Sequence, residues 1–267
     1  MFGIRPGHHR QHGLEERPTA RPGIAIFLRE FGRAARRLCF PARCLICGQG
    51  LPGDPETRFC VKCEAGIRLL REPCCLKCGR PFFNGAGASH LCSVCLTHDW
   101  HYARAHGVIC YDPRIAPLIH AVKYHGQTAP LPSFAALKKR LPHLDDCETA
   151  RVIVPVPLHA DRLRRRGYNQ SLRLARALFP HLRHRIDTGA LERWRPTRPQ
   201  TGLPGPARRR NIKGAFRVVR PEKIAGQRVL LLDDVYTTGA TVNECARVLV
   251  QAGAAEVRVL TLARVEE

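Results

Sequence analysis

In Val229–Thr241 (VLLLDDVYTTGAT), four apolar residues run into two carboxylates, and a loop of threonine, glycine and alanine follows at once. Hydroxyls, closely approachable backbone N–H groups and the start of a following helix together make a cradle for phosphate. The carboxylates beside the cradle suit a sugar diol better than another phosphate. Asp233 and Asp234, with Thr237, Thr238, Gly239, Ala240 and Thr241, therefore ask for a phosphorylated sugar.

A second chemistry lies upstream. Cys44-Leu-Ile-Cys47 and Cys60-Val-Lys-Cys63 are separated by twelve residues, and Cys75-Leu-Lys-Cys78 and Cys92-Ser-Val-Cys95 by thirteen. A CxxC turn brings two thiolates to one ion while backbone N–H groups stabilise the sulfur charge. Glycine after the second cysteine, as at Gly48 and Gly79, permits the tight knuckle. Two such knuckles give a closed tetrahedral sulfur shell of the structural zinc type, with no open position for catalysis. Four pairs in order predict two tandem zinc ribbons and two zinc ions, although cross-braced pairing fits the spacing too. Cys74 adjoins Cys75 and competes for the site on paper, but 75/78 has the required spacing. The region is too small to bury much apolar area, so metal should supply most of its folding energy.

The acidic pair needs a scaffold that holds it at a strand end. Val229–Leu232 reads as a buried central strand, and open α/β sheets bind ligands beyond the carboxyl ends of their strands. Helix Val242–Ala252 follows. Strands at Gly107–Tyr111, Arg151–Pro157, Ala215–Val219 and Glu256–Ala263 alternate with helices at Ile115–Tyr124, Leu131–Leu141 and Tyr168–Phe179. In the last of these, Leu172, Ala175, Leu178 and Phe179 are expected to face inward. The alternation predicts an α/β fold with a doubly wound, mostly parallel sheet. Thr188–Asn211 has proline, glycine and arginine but little apolar periodicity, which marks a functional lid or a linker. Residues 1–23 read as a basic disordered tail, and Ile24–Cys39 as a basic amphipathic helix packing on the cysteine module of residues 24–100. Residues 101–267 form the α/β domain.

Val229–Thr241 resembles the phosphoribosyl pyrophosphate (PRPP) signature of type I phosphoribosyltransferases. In that family the acidic pair holds the ribose hydroxyls and the threonine–glycine loop takes the 5′-phosphate. Further blocks occur in a fixed order: the cysteine pairs, Leu118-Ile-His-Ala-Val-Lys-Tyr124, Val154-Pro-Val-Pro157, Arg162, Arg166-Gly-Tyr-Asn-Gln170, Gln200, Arg208 and Asn211–Phe216. That order resembles the ComF competence family, which joins a zinc-ribbon module to a phosphoribosyltransferase-like domain. The resemblance implies PRPP with Mg²⁺ as ligand, and a link to DNA uptake in natural transformation or to nucleotide metabolism. It places pyrophosphate at Val156, Pro157 and Leu158 with Arg162 and Arg166. Arg208, Arg209 and Arg210 fall where the family has a flexible hood over the reacting centre. Single-stranded DNA and other DNA-uptake proteins are the further partners it implies. Hypoxanthine-type relatives carry a carboxylate base where this chain has Thr237, and the chain starts without the cysteine of glutamine-dependent amidophosphoribosyltransferases. Pentosyl (glycosyl) transfer from PRPP is thus expected toward an acceptor the residues do not name. A DNA-binding factor with a regulatory PRPP site is the alternative.

Composition agrees with anionic ligands. The net charge is +22, from 44 Lys and Arg against 22 Asp and Glu. Residues 151–220 hold eighteen of those cations against three acids. Such a field attracts nucleic acid or a pyrophosphate-bearing substrate, though a solvated arginine-rich surface is the plainer account. Trp194, Tyr168 and Phe82 are candidates to stack on bases. Eight of the thirteen cysteines fall into four CxxC pairs, which, with no apolar leader in the first residues, favours metal over disulfides. No apolar run approaches the ~20 residues of a membrane helix. The expected location is the cytoplasm, with the inner face of the membrane as a second choice.

Overall fold

The computed structural model describes residues 41–53, 55–82, 87–197 and 204–266. The expected tail, the helix Ile24–Cys39 and Gln200 lie outside them. Residues from Ala42 onward form one compact unit.

Its centre is a parallel sheet of four strands: β1 (Arg104–Cys110), β2 (Val152–Pro155), β5 (Arg228–Tyr236) and β6 (Glu256–Arg264), in the order β1-β6-β5-β2. Two short strands, β3 (Leu191–Arg193) and β4 (Phe216–Val218), pair antiparallel beside it. Helices α3 (Ala116–Tyr124), α4 (Leu131–Lys139), α6 (Gln170–Leu178) and α8 (Ala240–Gln251) flank the sheet. Residues of β5 alternate between two cores, as a strand buried on both faces must. Leu230 and Leu232 pack with Phe134, Leu137 and Leu174, whereas Val229 and Leu231 pack with Cys245 and Leu249. The parallel, two-sided sheet is the predicted fold.

Local details differ from the sequence reading. β5 does not stop at Asp233 but stays in register with β6 through Tyr236, opposite Arg264. The acidic pair thus lies within the strand. In α6 the core face carries Leu174, Ala175 and Leu178, and Leu172 is only half-buried. The cause is the N-cap: Asn169 accepts from the Ser171 N–H at 2.9 Å, which starts the helix two residues late and turns Ser171 inward. Thr188–Asn211 contains β3 and a helix, α7 (Gly205–Ile212), where no periodicity was visible.

The cysteine module contributes two helices of five residues each, α1 (Val61–Ala65) and α2 (Ser93–Thr97), and otherwise turns. It packs directly on the sheet. Leu70 N–H donates to Val108 O at 3.0 Å and Cys110 N–H to Arg68 O at 2.8 Å, so Arg68–Leu70 runs along the outer edge of β1. Phe59 meets Phe134 of α4 edge-on at 6.0 Å. No helix among the described residues is long and apolar enough to cross a membrane.

Candidate ligand cleft and metal centres

The carboxyl ends of all four strands open into one cleft of about 750 Å³. β5 supplies Asp233, Asp234 and Tyr236, and β2 supplies Val156, Pro157 and Leu158 in the turn that follows it. Thr237, Gly239, Ala240 and Thr241 form the wall leading into α8. Arg162 and Arg166 enter from α5 (Ala160–Arg166), and Arg208 from α7. The structure therefore gathers nearly all the sequence-predicted ligand residues into one space. Three stand apart. Thr238 does not line the cleft, and its hydroxyl is buried without a hydrogen-bond partner among the described residues. Arg209 and Arg210 are exposed and do not line the cleft.

Gly239 shows how closely the phosphate loop is built. It has φ +73°, and a Cβ there would sit 2.3 Å from the Tyr236 hydroxyl oxygen and 2.9 Å from Trp100. Only glycine takes this left-handed turn against those rings. The loop ends at the N-terminus of α8, whose first backbone N–H groups have no partners within the helix.

Both carboxylates are almost fully buried, Asp233 at 8% and Asp234 at 5% exposure. Asp233 Oδ1 accepts from the Ser171 hydroxyl at 2.9 Å and from Asp234 N–H at 2.9 Å. Asp234 Oδ1 accepts from Val235 N–H at 2.9 Å, and its Oδ2 lies 3.1 Å from Lys123 Nζ. Lys123 therefore reaches into the cleft rather than into solvent, as a lysine in a short helix ordinarily would. It lies one turn beyond Ile119, at the border of the apolar face of α3, which aims it inward. Burial lowers its pKa, but Asp234 and Asp233 outweigh that and raise it on balance.

Burial, reinforced by the charge of Asp234, pushes Asp233 up to about 7. Its raised pKa makes the neutral acid the form that folding prefers. That contribution is complete below the ordinary value near 3.8 and is lost as pH rises to about 7. Asp233→Asn keeps an acceptor for Ser171 and removes the charge. It should therefore raise the ligand-free melting temperature, and by several degrees more at pH 8 than at pH 5 (roughly 2–4 °C per kcal/mol). An equal gain at both pH values in thermal melts counts against a buried, charged Asp233.

The opposite wall is cationic. Burial and the charges of Arg166 and Arg165 lower the pKa of Arg162, and burial with the charge of Arg162 lowers Arg193 to about 10. Guanidiniums crowded this way are relieved by an anion between them. Asn169 links the two halves of the cleft: it caps α6 and donates from Nδ2 to Val156 O at 3.0 Å. Sequence reasoning missed Arg193, Ser171 and His120. Ser171 was visible only as a polar residue in an amphipathic helix. His120, inside a quoted sequence block, lines the cleft and has its Nε2 3.3 Å from the Tyr111 hydroxyl.

The cysteines form two clusters in sequential order. Cys44, Cys47, Cys60 and Cys63 make the first and Cys75, Cys78, Cys92 and Cys95 the second, with all sulfurs of a cluster within 4.8 Å of one another. Four converging sulfurs are the donor set of a structural zinc site. Backbone N–H groups point at the sulfurs, Cys60 N at Cys44 Sγ and Cys92 N at Cys75 Sγ, each at 3.3 Å. Two structural zinc ions fit this arrangement. Cys74 is left out and lies 3.7 Å from Arg104 Nη2. Gly79, at φ +70°, closes the second knuckle where a Cβ would lie 2.4 Å from Ala105 O of β1.

Fold and site together define a phosphoribosyltransferase-type α/β domain carrying a double zinc ribbon. The sequence matches the double zinc ribbon domain family over residues 35–96 and the phosphoribosyl transferase domain family over residues 170–267. It is 35% identical over 236 residues to the DNA utilization protein YhgH of Escherichia coli K12, covering 85% of this chain and 99% of that one. Competence protein F of Haemophilus influenzae is 30% identical over 222 residues, covering 77% of this chain and 96% of that protein. Competence protein ComFC of Bacillus subtilis is 24% identical over 246 residues, covering 83% and 94%. The chain belongs to the ComF family of competence-related proteins.

Proposed function

We propose that this protein binds PRPP with Mg²⁺ in the cleft at the carboxyl end of the sheet, in the service of DNA uptake or utilization. The observation that carries the reading is the meeting of a buried acid pair with a threonine–glycine loop at a helix N-terminus, opposite clustered arginines. Asp233 and Asp234 accept hydrogen bonds from the ribose hydroxyls, and Thr237, Gly239, Ala240 and Thr241 surround the 5′-phosphate. Val156–Leu158, with Arg162 and Arg166, takes the pyrophosphate. Mg²⁺ is held through PRPP oxygens, as suits an ion that keeps few protein ligands.

Arg208 reaches the cleft from α7, so this one residue of the arginine triplet serves the departing pyrophosphate. The cleft carboxylates are engaged by Lys123, Ser171 and backbone N–H groups. Any proton released by an acceptor on phosphoribosyl transfer therefore goes to His120, which lines the cleft, or to the departing pyrophosphate.

A second reading follows from Trp194, which is 49% exposed on the β3–β4 ribbon with Arg217 5.9 Å from its ring centre. An exposed aromatic beside arginine is a stacking platform for single-stranded DNA. One pair of measurements separates the readings. PRPP–Mg²⁺ should raise the melting temperature, and pyrophosphate release should follow once the right acceptor is added. No shift at saturating PRPP, together with DNA binding that weakens steeply with salt, would discard the first reading for the second.

A further inference from the structure

The second cysteine cluster and the phosphate loop share one buried chain of contacts. Arg264, 6% exposed at the end of β6, donates from Nη1 to Cys78 O at 2.6 Å and from Nη2 to Cys78 Sγ at 3.4 Å. The same guanidinium lies 4.1 Å from the centre of the Tyr236 ring. Tyr236, 3% exposed, shares a 2.8 Å hydrogen bond between hydroxyls with Tyr102, which is fully buried. The Tyr236 hydroxyl and Trp100 are the groups that leave Gly239 no room for a side chain. From the ribbon side, His101 N–H donates at 2.8 Å to Asn243 Oδ1, in the first turn of α8.

The chain thus runs from a metal-binding sulfur, through one cation and two phenols, to the turn that presents backbone N–H groups to a phosphate. Four thiolates on one divalent zinc leave a net charge of −2 by simple addition, and Arg264 is the buried cation placed to answer it. Among the described residues the first cluster has no such line to the loop. Its contacts run instead to α4 and its C-cap, where Arg58 N–H donates to Ser133 Oγ at 2.7 Å and Arg140 pairs with Glu64 at 2.8 Å, and to Arg114, which donates to Gly66 O at 2.6 Å.

The geometry points to Arg264 as a positioning residue: metal in the second cluster, but not in the first, sets the shape and ligand affinity of the Thr237–Thr241 loop. This rests on the reading that the loop takes a sugar phosphate. The fold accordingly uses one zinc ribbon as the back wall of its ligand site and the other as an anchor on α4.

Three variants test it: Arg264→Met, Cys95→Ser and Cys63→Ser. Each is measured for zinc content, for ribose 5-phosphate affinity by calorimetry and, without ligand, for amide hydrogen exchange. Arg264→Met should keep both zinc ions, lose about tenfold in affinity and exchange faster at residues 237–241. Cys95→Ser should lose one zinc ion with the same two changes. Cys63→Ser should also lose one zinc ion, yet keep wild-type affinity and loop exchange. Should Cys95→Ser fail to fold, Arg264→Met against Cys63→Ser still decides the matter. Wild-type affinity and loop exchange in Arg264→Met overturn the proposal. Equal effects from the two cysteine variants do so too, as does exchange that rises evenly through the sheet. If the wild type binds no ribose 5-phosphate, the ligand reading fails, and the exchange data alone still judge the coupling.

Discussion

Replacing Asp234 by asparagine is expected to weaken PRPP–Mg²⁺ binding by roughly 100-fold and to remove nearly all of the ligand's effect on melting. A hydrogen bond to a charged group contributes about 1.5–3 kcal/mol, and ~2.7 kcal/mol corresponds to that factor. The substitution also takes the counter-ion from Lys123, whose Nζ lies 3.1 Å from Asp234 Oδ2. The lysine then has only Asp233 to balance it, so the ligand meets a cleft of altered charge. At a PRPP concentration 100 times the dissociation constant, the wild type gains about 2.7 kcal/mol, a rise of roughly 5–10 °C. At the same concentration the variant gains about 0.4 kcal/mol, roughly 1 °C. Thermal melts with and without PRPP–Mg²⁺ make the comparison. A variant that shifts as far as the wild type would falsify the placing of the ribose hydroxyls on this pair.

Withdrawal of zinc should have the larger effect on stability. Metal analysis should find two ions per chain, one for each cluster of four cysteines. Strong chelation should lower the melting temperature by more than about 10 °C, since structural zinc contributes on the order of 10 kcal/mol per site. The ribbons have little else to hold them. α1 buries no residue and α2 buries only Cys95. Yet Phe59 and Ile67 belong to the core on one side of the sheet, and Cys75 and Cys78 to the core on the other. Loss of metal therefore opens both cores, where separate modules would melt apart. A single ion per chain, or a chelated protein with wild-type melting, sinks this view of the clusters.

Much of this was legible in the residues because the signals were local. The β5 strand is apolar and the loop after it small and polar, so the acid pair and the phosphate cradle could be placed from one segment. CxxC spacing fixes which sulfurs can converge, although only the folded chain chose sequential over crossed pairing. What stayed hidden depended on long-range contact. Lys123 looks like any helix lysine until Asp234 arrives from another strand. Ser171 reads as a solvent residue until the cap at Asn169 rotates α6. Arg264 lies just beyond the strand read as Glu256–Ala263, and nothing near it in sequence announces Cys78. β3 has three residues and α7 buries only Ile212 among its described side chains, too few to show a period.

The segment Arg68–Leu70, hydrogen-bonded along β1, has one more consequence. β1 ends the sheet on that side, and its residues Val108, Ile109 and Cys110 are almost wholly buried. A transferase domain excised at residue 101 would display this apolar strand with its backbone groups unpaired, a template for aggregation. The ribbon is thus a solubility device as well as a metal site. The phosphoribosyltransferase-like half should be recoverable as a stable monomer only when the half that carries the cysteine clusters is made with it.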